Sequence, residues 1–129
     1  MTREEAIGIE HECARLVAQY ANLNDAGDHD GVANLYAVDG RMTRPSAPDD
    51  WIEGREAIRA AFKSRPPRTT RHLCTNVVVE VISATRASGE CAIALFLSDS
   101  EVRVGKYQDL FERTPEGWKF AERRGSMTF

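Results

Sequence analysis

Two side chains have the chemistry that proton transfer needs. His72 stands at the mouth of the strand-forming run Arg71-His72-Leu73-Cys74-Thr75-Asn76-Val77-Val78-Val79-Glu80-Val81, and Asp25 lies at or just beyond the end of a long helical pattern. An imidazole with an ordinary pKa near ~6.5 exchanges a proton at neutral pH, and a carboxylate beside it fixes its tautomer and stabilises the imidazolium. Such a dyad needs no cofactor. A plainer reading stands beside it, in which His72 only hydrogen-bonds backbone at a strand edge and Asp25 only caps a helix or loop. Cys74, two residues from His72 and on the same face of a regular strand, adds nucleophilic thiol chemistry as a third option.

Other chemistries lack their residues. His11-Glu12 begins like a zinc-binding helix, but Arg15 occupies the place of the second histidine. Asp25, Asp28 and Asp30 lack the full calcium-loop pattern with its terminal glutamate, so Asp28 and Asp30 read as capping and turn residues. No glycine-rich dinucleotide or phosphate loop and no serine elbow occurs. Cys13, Cys74 and Cys91 form no close pair and read as reduced thiols in the core. The sequence thus calls for no metal and no cofactor. Seventeen Lys+Arg against twenty Asp+Glu give a net charge of -3, which supplies no field for nucleic acid. The N-terminus is charged and helical in pattern, and no apolar run reaches membrane-spanning length. A cytoplasmic protein without a membrane partner is expected.

The elements that must position these groups follow from periodicity. Ile9, Cys13, Leu16, Val17, Tyr20 and Leu23 recur at helical spacing within 3–23, and the turn-rich segment from Asn24 to Gly31 should stop that helix near Asp25. A short helix restarts through Val32, Leu35 and Tyr36. The stretch from Asp39 to Asp50 predicts a short strand and a mobile loop, and 53–62 predicts a third helix ended by Pro66-Pro67. Strands are expected over 72–83, 90–97, 102–113 and 117–127, joined by hairpin turns. Helices first and a meander afterwards mean α+β: one domain over residues 1–129, with a curved antiparallel sheet packed over about three N-terminal helices and a concave space between them.

The order of several short motifs resembles the SnoaL-like group of the nuclear transport factor 2-like superfamily over nearly the whole chain. These are Tyr20, Asp25 and Asp28; Leu35-Tyr36-Ala37-Val38-Asp39-Gly40; Gly54-Arg55-Glu56-Ala57-Ile58; Arg71-His72 with Asn76; Gly105-Lys106-Tyr107-Gln108-Asp109; and Gly117-Trp118-Lys119-Phe120. The resemblance implies a cone-shaped, barrel-like domain with a deep pocket, commonly a homodimer through the sheet. Dehydratases and dehydrochlorinases of that superfamily, scytalone dehydratase among them, carry an aspartate after the first helix and a histidine on the first long strand as acid–base machinery. Asp25 and His72 match those positions. Val104-Gly105-Lys106 stands where scytalone dehydratase has a second histidine, so no named reaction carries over.

These readings combine into a cofactor-independent lyase or isomerase, of dehydratase, isomerase or polyketide-cyclase type, acting on a small apolar carbonyl-containing or hydroxylated ligand. His72 would be the general base and Asp25 its orienting partner. Tyr20, Tyr107 and Arg123 are the candidates to bind substrate and hold a developing oxyanion, with Trp51 as a further lining residue. Of Glu122, Arg123 and Arg124, successive on one strand, Arg123 is expected to face inward. The competing reading is a binding or scaffold domain without turnover, its sheet face of Leu110, Trp118 and Phe120 serving dimerisation.

Overall fold

The computed structural model describes residues 1–127. Three helices come first, α1 (Arg3–Asp25), α2 (His29–Ala33) and α3 (Arg55–Lys63), with the strands β1 (Tyr36–Arg44) and β2 (Ala47–Glu53) between the last two. Four long strands follow: β3 (Arg71–Ser83), β4 (Arg86–Ser98), β5 (Glu101–Thr114) and β6 (Gly117–Ser126). The six strands form one open, curved sheet in the order β2-β1-β6-β5-β4-β3. Among the described residues no helix is long and apolar enough to cross a membrane.

Helix α1 starts where Thr2 accepts a hydrogen bond from the Glu5 N–H at 3.1 Å, satisfying one of the donors a helix leaves open. It buries Cys13, Leu16, Val17, Tyr20 and Ala21 against the sheet, the stripe that a 3.6-residue period places on one face. Gly27, at φ 71°, takes the left-handed conformation that ends it. Asp28 then caps α2 by accepting from the Gly31 N–H at 2.9 Å.

Two expectations are corrected here. The second helix does not run to Tyr36. It stops at Ala33, and Tyr36 opens β1, fully buried, while the Leu35 carbonyl accepts from the Phe120 N–H at 2.9 Å. The stretch 39–50 is not a strand and a loop but most of the β1–β2 pair. Its prolines are compatible with strands: Pro45 sits beyond the end of β1 and Pro48 on the edge strand β2, where a missing N–H breaks no inner ladder. The expected antiparallel meander is β3–β6, and the β1–β2 pair extends the sheet beyond β6. β1 lies parallel to β6, and the two are tied by Thr43 Oγ, which donates to the Gly125 carbonyl at 3.2 Å and accepts from its N–H at 3.0 Å.

Two bulges set which side chains face inward. In β3, Thr75 pairs with Ala92 but Val78 with Glu90, and Asn76 takes φ 55°. The extra residue shifts the alternation, so Val77 and Val79 pack on the core while Val78 is 50% exposed. In β6, Phe120 pairs with Phe111 and Glu122 with Leu110, leaving Ala121 as the extra residue. Phe120 and Arg123 are therefore both buried although three apart. Trp118 also packs against the core, so the proposed outer face of Leu110, Trp118 and Phe120 is corrected: of the three only Leu110 points out.

Candidate active site

Asp25 lies in the last turn of α1, where the helix dipole disfavours a carboxylate. It does not cap the helix, whose end is closed by the Ala26 N–H on the Asn22 carbonyl. Its side chain turns instead to the start of β3. Asp25 Oδ1 lies 2.6 Å from His72 Nδ1. The same carboxylate accepts the backbone N–H of His72 at 2.9 Å through Oδ2 and the Thr70 hydroxyl at 3.1 Å through Oδ1. Both side chains are nearly closed to solvent, 8% exposed for Asp25 and 7% for His72. An ionised carboxylate only accepts, so a neutral ring facing it carries its proton on Nδ1 and leaves the lone pair on Nε2. The arrangement fixes ring orientation and tautomer together.

His72 lines a cavity of about 180 Å³ between the helices and the concave sheet face. Asp25 sits behind it and does not reach the wall. Phe62, Ile93 and Leu95 give the wall apolar surface, and Tyr20 and Tyr107 contribute hydroxyls. Tyr20 accepts a hydrogen bond from the Tyr36 hydroxyl at 3.0 Å and directs its own proton weakly at Met42 Sδ, 3.9 Å away. Burial raises the pKa of Tyr20 and of Tyr107, the Arg123 charge opposing it in both. Each hydroxyl is thereby kept a proton donor at neutral pH.

Arg123 faces inward but does not touch the cavity. It is fully buried beneath the two tyrosines, its guanidinium 3.6 Å from the Tyr107 ring centroid and 4.3 Å from that of Tyr20. Its Nε approaches Asp109 Oδ1 to 3.1 Å, close enough for an ion pair, yet the N–H points off that line and neither atom completes a hydrogen bond. Cys91 Sγ accepts from the other end of the guanidinium at 3.7 Å. Trp51 is not brought to the site: it lies on β2 under Arg41, whose guanidinium sits 3.8 Å from its ring centroid. Cys74 packs against the core rather than on the cavity wall. A hydrogen bond from Cys91 lowers its thiol pKa below 9.0, burial opposing and the Arg123 charge helping.

Several residues of the site carry little signal in the sequence. Thr70, which shares the Asp25 carboxylate behind the wall, has no signature of its own. Arg44, Arg65, Arg68 and Arg103 all line the cavity. A signal for two of them existed in Ser64-Arg65-Pro66-Pro67-Arg68, read only as a helix stop.

The family model of the SnoaL-like domain matches residues 5–124. The chain belongs to the SnoaL-like family. Solved structures similar to this SnoaL-like domain agree on the fold. A candidate scytalone dehydratase from Novosphingobium aromaticivorans superposes with a TM-score of 0.82 at 19% identity, covering 95% of this chain and 85% of that one. An NTF2-like protein with a cystatin-like fold from the same organism gives 0.75 at 24% identity, covering 88% and 77%. A Mycobacterium tuberculosis protein of unknown function gives 0.72 at 26% identity, covering 87% and 71%. No curated protein matches this chain in sequence.

Proposed function

We propose that this SnoaL-like domain is a cofactor-independent acid–base enzyme of the dehydratase, isomerase or cyclase type. His72 Nε2 removes a proton from a carbon next to a carbonyl, and the electron pair of that C–H bond moves onto the carbonyl oxygen as an enolate. Asp25 holds the ring and stabilises the imidazolium. The proton then returns to another carbon in an isomerisation, or to a β-hydroxyl that leaves as water in a dehydration. Tyr20 and Tyr107 donate to the enolate oxygen. Arg123 serves as a positioning residue beneath them. The observation that carries this reading is the 2.6 Å contact between Asp25 and a His72 ring that borders the cavity. Support from comparison is limited to kind, in that a candidate dehydratase shares the fold.

The test is proton exchange. A panel of carbonyl compounds in deuterated buffer, followed by proton NMR, should show enzyme-dependent C–H to C–D exchange for at least one member. His72→Gln should slow it by about 10²–10⁴-fold. Exchange unchanged in that variant would remove His72 as the base. We also propose that two copies pair through the outer sheet face, where Leu73, Ala94 and Val104 form one cross-strand row.

A further inference from the structure

The protein is net negative, -3 overall, yet among the described residues four arginines and no aspartate or glutamate line its cavity. The acidic side chains gather elsewhere, Glu80, Glu90 and Glu122 bordering a shallow depression on the sheet's outer face. Four arginines outside the cavity have carboxylate partners: Arg41 with Glu122 at 2.9 Å, Arg55 with Glu116 at 2.8 Å, Arg59 with Asp30 at 2.8 Å and Arg124 with Asp49 at 2.7 Å. On the cavity wall only Arg103 has one, the exposed Glu101 at 3.1 Å.

Among the described residues no carboxylate pairs with Arg44, Arg65 or Arg68. Arg65 is half-buried, its guanidinium 4.2 Å from the Phe62 ring centroid. Burial and then the charges of Arg44 and Arg68 pull its pKa down. Arg65 thus meets the repulsion of two further cations on the same wall. Arg44 donates from one terminal nitrogen to the Ala61 carbonyl at 3.1 Å, while its buried Nε has no partner. Half-buried guanidinium groups without an anion leave desolvation and mutual repulsion uncompensated. The fold carries that cost at the cavity wall beside His72.

We propose that the cavity is built for an organic carboxylate, its anionic end held by Arg65 with Arg44 and Arg68 and its hydrocarbon part lying on Phe62, Ile93 and Leu95. The planar guanidinium fork matches a carboxylate through two parallel N–H···O bonds, which fixes orientation as well as adding affinity. The role of the anion in turnover rests on the acid–base reading: clamping a remote carboxylate presents a C–H bond to His72 and uses binding energy away from the reacting centre. The binding preference itself does not rest on it.

The experiment is calorimetric titration of the whole protein with cinnamate and with its neutral isostere cinnamamide. Cinnamate should bind about tenfold or more tightly, and the preference should shrink as salt rises from about 50 to about 500 mM. Arg65→Met should abolish the preference, and Arg65→Lys should retain part of it. Arg68→Met, on the exposed rim, should reduce it in a protein whose melting temperature is unchanged. Equal binding of the two compounds, or a cinnamate preference untouched by Arg65→Met and Arg68→Met in folded protein, would overturn the assignment. The two failures are separable, because binding is read without turnover. Equal binding leaves the exchange result on His72 standing, whereas an inert His72→Gln result removes the base and leaves the anion preference standing.

Discussion

At the scale of single residues the carboxylate of Asp25 has two tasks. It holds the His72 ring, and it accepts the His72 backbone N–H and the Thr70 hydroxyl. Asp25→Ala strips buried donors of their acceptor, which costs about 1–3 kcal/mol. Thermal or urea denaturation should therefore show a loss of that size in addition to lost exchange activity. A variant as stable as the parent would mean that water replaces the carboxylate and that Asp25 does not anchor β3. The histidine and the aspartate were visible in the sequence because an imidazole and a carboxylate are the side chains that move or stabilise a proton at neutral pH. Their contact was not, since it joins residues 47 apart in the chain.

At the scale of elements the two bulges decide the site. Strict alternation along β3 from His72 would bury Val78, and along β6 from Phe120 it would bury Glu122. The extra residues at Asn76 and Ala121 reverse both. Asn76 is suited to its place because asparagine tolerates a positive φ that a β-branched side chain does not. Asn76→Gly should lie within about 0.5 kcal/mol of the parent in stability, and Asn76→Val should cost about 1–3 kcal/mol. Urea melts of the pair check this, and a Val variant as stable as the Gly variant would mean that the bulge relaxes elsewhere.

At the scale of the whole molecule, the buried Asp109–Arg123 pair links stability to pH. Burial pushes the Asp109 carboxyl up to about 6, with Arg123 pulling the other way. In the unfolded chain it reverts to about 3.9. Between those values the native state holds a proton that the unfolded state lacks, so this contribution is fully present below about 3.9 and is lost as pH rises through about 6. Relative to Asp109→Asn, the parent's melting temperature should fall as pH goes from about 4 to about 7. A gap constant across that range would mean that Asp109 keeps its charge throughout. The outer sheet face gives a second prediction. Leu73, Val102 and Val104 are 47%, 46% and 43% exposed, and a contiguous apolar strip of this kind favours self-association. Sedimentation should report a dimer, shifted to monomer by Val104→Lys, whereas a monomeric parent would remove the pairing.

What the sequence determined by itself is what local pattern can encode. The 3.6-residue stripe gave α1, the turn clusters gave the hairpins of β3–β6, and the order of short motifs pointed to the SnoaL-like fold. Side-chain type and place along the chain also marked His72 and Asp25 as groups able to move a proton. Only the tertiary structure decided that β1 lies parallel to β6 and that the prolines after Asp39 belong to an edge and its turn. It also decided that Arg123 supports two tyrosines from below while Arg44, Arg65 and Arg68 reach the cavity. The physical reason is that burial and charge pairing depend on which strands become neighbours, and one extra residue in a strand turns the side chains beyond it to the opposite face.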